Sequence, residues 1–170
     1  MANSLRGPLV YVDSCVYLDL ILGRSDRLCP ASGRPRDQLA LELFEQVRAG
    51  IVRLAVSALS DAEVRFHSND PNAQFVSEVL DGWFRHPATR WTDIDLLLAS
   101  DASRLHATYA HLAYQPSTAL STADALHLAA AVRLGCEYFV TQDQGFPIGS
   151  EVGSSKTMVR FSGPVGQMLL

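Results

Sequence analysis

The chain contains 170 residues, 48% of them hydrophobic, and carries a formal net charge of −4 at pH 7. This length and apolar content suffice for a substantial core in one domain, which excludes an intrinsically disordered protein. The acidic charge argues mildly against nucleic-acid binding, although 13 of the 14 cationic residues are arginine, which contacts phosphate with two donors at once. Genome composition alone can also produce that arginine excess.

The cysteines and the apolar runs indicate the compartment. Cys15, Cys29 and Cys136 are odd in number and form no C-x-x-C pair, which favours reduced thiols over a disulfide framework or a zinc site. No apolar run approaches the roughly 18 residues of a membrane span, and no signal-like segment precedes Pro8. We therefore expect a cytoplasmic protein without a membrane association.

Short apolar runs typical of buried strands alternate along the chain with segments of helical periodicity. The expected strands are residues 8–12, 51–56, 90–94, 136–141 and 157–161. The expected helices are residues 14–22, 37–49, 57–67, 73–84, a long one from 93 or 95 to 112, and 125–134. The alternation predicts an α/β fold, with a central parallel sheet of four to five strands flanked by helices.

Acidic residues follow three of the predicted strands. Asp13 comes directly after the first strand, Glu63 lies on the helix after the second, and Asp143 comes two residues after the fourth. Asp124 begins the alanine-rich helix that precedes the fourth strand. The carboxyl ends of parallel strands form the edge where ligands bind in open α/β sheets. Carboxylates gathered there repel one another unless a cation lies among them, and oxygen ligands suit Mg²⁺ or Mn²⁺.

Each of these acids also has a purely structural interpretation. Asp13 and Asp124 lie where a helix N-cap is expected, and Asp is a common N-cap residue. Ser60 and Glu63 have the spacing of a capping box. Asp143 could simply shape a turn. The residues alone leave these alternatives open.

Four segments together carry a family resemblance. They are Asp13-Ser14, Ser57 with Glu63 six residues later, ADALHLAAA at 123–131, and TQDQGF at 141–146. In this order they resemble PIN-domain ribonucleases, in particular the toxins of VapBC toxin–antitoxin pairs, over about residues 9–163. The resemblance implies a single PIN-like domain over residues 1–170, with a core at about 8–163.

The resemblance also implies an activity, the hydrolysis of RNA with Mg²⁺ or Mn²⁺ as cofactor. The matching positions that become metal ligands and catalytic residues are Asp13, Glu63, Asp124 and Asp143. Ser14 and Thr141 stand beside two of them, where they would hold a carboxylate in place or contact a phosphate. His127, three residues after Asp124, is expected to pack or to form a hydrogen bond near the site.

The partners that the resemblance implies are an RNA substrate, a small antitoxin protein that places an Arg or Lys among the acids, and a second copy of the chain. Apolar stripes at residues 75–83 and 97–109 support the homodimer, since they offer more apolar surface than a small sheet covers. The arginine-rich loop at residues 24–36 either contacts RNA phosphates or an acidic partner, or is simply solvated.

The resemblance leaves two other functions open, and the sequence excludes two further enzyme or signalling classes. A PIN-like fold can serve as a binding or assembly module without catalysis, and a PIN nuclease can process RNA generally instead of acting as a toxin. A phosphatase of the haloacid-dehalogenase type is excluded because Cys15 stands where its second Asp would be. A phospho-receiver domain is excluded because the only lysine is Lys156.

Overall fold

The computed structural model describes residues 7–67, 73–109, 120–152 and 157–160, the last four by their backbone. The strands are β1 Leu9–Val12, β2 Arg53–Ser57, β3 Arg90–Thr92, β4 Tyr138–Thr141 and β5 Thr157–Arg160. The helices are α1 Ser14–Ile21, α2 Arg36–Arg48, α3 Ala58–His67, α4 Ala73–Phe84, α5 Leu96–Tyr109 and α6 Thr122–Leu134. None of the described helices is long and apolar enough to cross a membrane.

The five strands form one parallel sheet in the order β3-β2-β1-β4-β5. The predicted α/β fold with a parallel sheet flanked by helices is confirmed, and β3 lies at the sheet edge as expected. The chain builds outward from β1 to one side through β2 and β3, and then to the other side through β4 and β5. The carboxyl end of β1 is therefore the switch point of the sheet, where open α/β folds bind their ligands.

The sheet separates two apolar cores. Successive residues of a strand point to opposite faces, so Val10 and Val12 join one core while Leu9 and Tyr11 join the other. The first core receives apolar side chains of α1 to α4, and the second those of α5 and α6. Helices on both faces bury β1 completely and β2 except for the half-buried Arg53, which accounts for the apolar run in each strand.

Helix α6 lies within the second core. Its buried residues are mostly alanine, which lets the helix pack close to the sheet. It ends at Gly135, whose φ of 71° is the left-handed conformation that glycine adopts without strain. The helix begins at Thr122, three residues before the predicted start, because Ser121 caps it.

Several other boundaries differ from the sequence expectations. Strands β2 and β4 each begin two residues later than predicted, at Arg53 and Tyr138. Helix α5 begins at Leu96, since the Asp95 carboxylate accepts a hydrogen bond of 2.8 Å from the Leu98 N–H. The 24–36 loop contains no helix or strand until α2 begins, but an antiparallel bridge between Leu28 and Pro35 closes it. The predicted breaks at 68–72 and 116–117 and the last residues of the long helix fall outside the described residues.

The two apolar stripes are used largely within the chain. Val76 and Leu80 of α4 belong to the first core, and Leu98 and Ala102 of α5 belong to the second. Among the described residues of these helices, the large apolar side chains left exposed are Phe75 at 67%, Leu96 at 85% and Leu97 at 72%. The homodimer therefore stays a prediction, and the exposed apolar surface that supports it is smaller than the sequence suggested.

Candidate active site

Asp13 lies at the carboxyl end of β1, at the switch point of the sheet. Its backbone N–H donates to the Val140 carbonyl at 3.0 Å, which ties it to β4. Its Oδ2 accepts hydrogen bonds from Thr141 Oγ1 at 2.7 Å and from Cys15 Sγ at 3.1 Å. Ser14 Oγ lies 3.5 Å from the other oxygen, Oδ1. Asp13 is the N-cap residue of α1, but its side chain makes no capping hydrogen bond. Thr141 and Cys15 therefore hold the carboxylate in a position in which it does not cap the helix.

Glu63 projects from α3 towards the same region. Its Oε2 lies 2.8 Å from Nε2 of His127. The capping-box interpretation of Ser60 and Glu63 is wrong, because α3 begins earlier, at Ala58, and places Ser60 inside the first turn. The Ser60 hydroxyl instead lies within hydrogen-bonding distance of Tyr11 Oη, at 3.0 Å.

Asp124 lies in the first turn of α6 and completes a capping box with Ser121. Its Oδ2 accepts from the Ser121 N–H at 2.8 Å, so the capping interpretation is correct for this residue. Burial raises the pKa of Asp124, the Ser121 hydrogen bonds oppose the rise, and the charges of Asp13 and Asp143 add to it. Asp124 therefore caps its helix and at the same time faces two other acids.

Asp143 stands at the exposed rim of the site. Its Oδ1 accepts from the Gly145 N–H at 2.7 Å, a local turn of the kind that Asp commonly forms. Its own N–H donates to Thr141 Oγ1 at 2.9 Å. The turn interpretation is thus correct for Asp143, and Thr141 connects this residue to Asp13.

His127 is the residue whose contacts the sequence indicated least clearly. The ring is buried, its Nδ1 lies 2.8 Å from Tyr11 Oη, and its Nε2 lies 3.9 Å from Asp13 Oδ1. Burial lowers the pKa of His127, but the Glu63 hydrogen bond and the charges of Asp13, Glu63 and Asp124 outweigh it, so the pKa is raised. The expected hydrogen bond near the site is confirmed. The spacing of three residues from Asp124 was its only signal.

Tyr11 and Cys15 also contribute, and the sequence did not single out either for this role. Tyr11 lies on β1, and its hydroxyl contacts Ser57 Oγ at 2.7 Å as well as His127. Burial, reinforced by the charge of Asp13, raises the pKa of the Cys15 thiol well above its ordinary value. The protonated thiol can therefore donate to Asp13. A tyrosine in a buried strand needs a hydrogen-bond partner for its hydroxyl, and this requirement is the sequence signal that could have identified Tyr11.

A divalent cation fits the chemistry of this donor set, since carboxylate oxygens are the ligands of hard ions. The charges of Asp13 and Asp143 both add to the raised pKa of Asp124, so these two acids lie near it. Within the described residues, however, no three His, Cys, Asp or Glu side chains gather closely enough to hold an ion. Glu63, Asp124 and Asp143 are each engaged with a protein donor.

Comparison with known proteins agrees with the fold. A family model described as "PIN domain" matches residues 10–148. The crystal structure of Mycobacterium tuberculosis VapC20, a sarcin–ricin loop cleaving toxin, is 15% identical, with a TM-score of 0.51 over 76% of this chain and 86% of that one. VapBC2 from Rickettsia felis, bound to a promoter DNA fragment, is 14% identical, with a TM-score of 0.53 over 79% and 88%.

A further solved structure, FitAB bound to an IR36 DNA fragment, is 17% identical, with a TM-score of 0.55 over 88% of this chain and 94% of that one. Such low identities show a shared fold alone. No curated protein is similar enough in sequence to count as a relative. The family model spans most of the chain, and the matched residues include Asp13, Glu63, Asp124 and Asp143. The chain belongs to the PIN domain family.

Proposed function

We propose that this protein is a divalent-metal-dependent endoribonuclease and the toxin of a toxin–antitoxin pair. The observation that carries the proposal is the placement of Asp13 at the end of β1, Asp143 just past the end of β4 and Asp124 in the first turn of α6 of a PIN-domain fold, where the charges of Asp13 and Asp143 add to the rise that burial causes in the pKa of Asp124. The similarity of the fold to a toxin that cleaves the sarcin–ricin loop supports RNA as the substrate class.

The residues that would hold Mg²⁺ or Mn²⁺ are Asp13, Glu63, Asp124 and Asp143. A divalent cation bound there supplies polarisation of the phosphodiester and a water molecule of lowered pKa. Thr141 and Cys15 fix Oδ2 of Asp13 from one side, and His127 fixes Glu63. Ser14 reaches Oδ1 of Asp13 at 3.5 Å, so it can steady that carboxylate. Asp143 is exposed, so it is open to contact with a substrate.

A small antitoxin is the proposed partner. The toxin–antitoxin complexes VapBC2 and FitAB are among the structures that share this fold. The charges of Asp13 and Asp143 near Asp124 favour a partner that brings an Arg or Lys among these carboxylates. We further propose that the toxin forms a homodimer, which the exposed side chains Phe75, Leu96 and Leu97 support.

The alternative is a PIN-like binding module without catalysis. It is favoured by the finding that, across the described ranges, no three potential ligands are placed to hold an ion. The two functions differ in what the protein does to RNA in the presence of metal.

The experiment incubates the purified full-length protein with single-stranded RNA and Mg²⁺ or Mn²⁺, with and without chelator. We expect cleavage that the chelator abolishes and that Asp13→Asn loses. Asp93→Asn, which changes an exposed acid beside β3, is the matched control and should cleave as the parent does. Metal-dependent RNA binding without cleavage would support the binding module instead. Cleavage unaffected by chelator would contradict the proposal.

A further inference from the structure

The imidazole of His127 joins a proposed metal ligand to the interior of the protein. Its Nε2 lies 2.8 Å from Oε2 of Glu63, and its Nδ1 lies 2.8 Å from the hydroxyl of Tyr11. The ring is only 1% exposed. Both ring nitrogens are therefore used in hydrogen bonds between helices α6 and α3 and strand β1.

Several contacts hold the Tyr11 end of this chain of hydrogen bonds in place. The Tyr11 hydroxyl also contacts Ser57 Oγ at 2.7 Å and Ser60 Oγ at 3.0 Å. The Tyr11 ring stacks on Phe139, with centroids 5.3 Å apart and planes 12° from parallel. Strands β1, β2 and β4 and helix α3 thus converge on one buried phenol.

The direction of the bond to Glu63 does not depend on the charge of the imidazole. A carboxylate can only accept hydrogen bonds, so Nε2 must carry the hydrogen. In the neutral ring Nδ1 then accepts from the Tyr11 hydroxyl, whereas in the charged ring Nδ1 donates to the Tyr11 oxygen. Nε2 donates to Glu63 in both forms.

We propose that His127 is a positioning residue that fixes the Glu63 carboxylate beside Asp13 for cation binding; this deepens the proposed function and rests on it. The side chain of Glu63 is 25% exposed and has three rotatable bonds, so without the imidazole its carboxylate would turn towards solvent. The same Nε2 lies 3.9 Å from Asp13 Oδ1, so both carboxylates lie near one ring nitrogen.

His127 does not itself reach the reacting groups. The buried ring cannot contact a phosphate at the rim, and its two nitrogens are occupied by Tyr11 and Glu63. Its effect must therefore pass through Glu63. This gives the proposal a signature that a purely structural histidine lacks: the loss of His127 should matter only while Glu63 is present.

The test is the Mn²⁺ affinity of the full chain, measured by isothermal titration calorimetry for the parent and four variants. These are His127→Leu, His127→Gln, Glu63→Gln and the double variant Glu63→Gln with His127→Leu. We expect His127→Leu to weaken Mn²⁺ binding about tenfold or more, as the loss of a residue that orients a ligand usually does. His127→Gln keeps an N–H donor near the position of Nε2 and should restore most of the affinity.

The double variant decides whether His127 acts through Glu63. We expect it to bind Mn²⁺ as Glu63→Gln alone does, because the imidazole then has no carboxylate to position. Leu128→Ala, a buried neighbour on the same helix, controls for general destabilisation and should keep the parent affinity. If His127→Leu does not fold, Tyr11→Phe removes only the hydroxyl and should show the same dependence on Glu63.

Two results separate failure of this inference from failure of the proposed function. A parent protein that binds Mn²⁺ with an affinity unchanged by His127→Leu, or lowered equally with and without Glu63, would overturn the positioning role alone. A parent protein that binds no Mn²⁺ would overturn the proposed metal chemistry itself.

Discussion

Thr141 Oγ1 donates a hydrogen bond of 2.7 Å to Oδ2 of Asp13, although 128 residues separate the two in the chain. The same oxygen accepts from the Asp143 N–H at 2.9 Å. One buried hydroxyl at the end of β4 therefore holds two of the acids that we propose as metal ligands. This is possible because β1 and β4 are neighbours and end at the same edge.

Replacing Thr141 by valine should impair the site more than replacing it by serine. Valine keeps the shape of the side chain but loses the hydroxyl, and a hydrogen bond to a charged group contributes about 1.5–3 kcal/mol. We expect Thr141→Val to lose most of the rise in melting temperature that Mn²⁺ gives the parent, while Thr141→Ser keeps it. Thermal unfolding with and without Mn²⁺ measures both. An undiminished Mn²⁺ effect in Thr141→Val would show that the hydroxyl does not organise the site.

Asp19 of α1 is a buried acid outside the site, and its removal should not harm the fold. Neither carboxylate oxygen has a hydrogen-bond partner within the described part of the chain, and Arg24 Nη1 lies 3.7 Å away. Burial raises the pKa of Asp19, and the charges of Arg36, Arg24 and Arg27 only partly offset it. Because the folded pKa is above the ordinary 3.8, stability is lost as the pH rises through the folded pKa.

The Asp19→Asn variant should therefore melt at the same temperature as the parent or higher at pH 7, and the difference should shrink as the pH falls towards 4. Asp26→Asn, which changes an exposed acid in the arginine-rich 24–36 loop, is the control and should change little. Thermal unfolding between pH 4 and pH 7 measures the effect. A melting temperature several degrees below that of the parent at pH 7 would show instead that the Asp19 charge anchors the arginine-rich loop.

Asp95 and Arg133 tie the start of α5 to the end of α6. Arg133 Nη1 and Nη2 donate to the two oxygens of Asp95 at 2.8 and 2.9 Å. The hydrogen bonds from Arg133 are the largest cause that lowers the pKa of Asp95 to about 2, and the hydrogen bond from the Leu98 N–H is the second. The stability that they contribute is present above the ordinary pKa of 3.8 and is lost as the pH falls through about 2.

We expect Asp95→Asn to melt below the parent at pH 7 and together with it near pH 2, since asparagine keeps the cap but not the charge. Arg133→Gln should show the same loss, and the double variant should lose no more than either single one. The pair is exposed, so the loss should be small and should shrink in high salt. Additive losses in the double variant would contradict a direct pairing.

Local patterns carried most of the fold. Helix α4 spans Ala73–Phe84 as predicted, and the strands that precede Asp13 and Glu63 were placed correctly apart from their ends. Periodicity, glycine stops and apolar runs depend on neighbouring residues, and those signals are present in the sequence. They also sufficed to place Asp13 and Asp143 at one edge of the sheet, because the neighbouring parallel strands β1 and β4 end there.

Local sequence patterns could not predict which buried polar groups form hydrogen bonds with one another. His127 and Glu63 are 64 residues apart, and Tyr11 and Ser57 are 46 apart. Their contacts depend on how α3 and α6 sit against the sheet, which no spacing along the chain encodes. The capping box at Ser60 failed for a related reason: the spacing was right, but the helix had already begun at Ala58.

The central claim is that Asp13 and Asp124 belong to an anionic cluster that binds a divalent cation, beyond the capping that Asp124 also performs. The Asp13 side chain makes no capping hydrogen bond, and asparagine at position 124 keeps an oxygen that can accept from the Ser121 N–H, so Asp13→Asn and Asp124→Asn should leave the helices intact. Without metal, each variant should melt at the parent temperature or higher, because burial raises the pKa of Asp124, the charges of Asp13 and Asp143 add to the rise, and removing one charge relieves that repulsion.

The most direct measurement is the melting temperature of the parent and of both variants, in chelator and in Mn²⁺. We expect Mn²⁺ to raise the melting temperature of the parent by several degrees and to raise those of the variants little or not at all. An equal rise in all three proteins would contradict the metal site at Asp13 and Asp124.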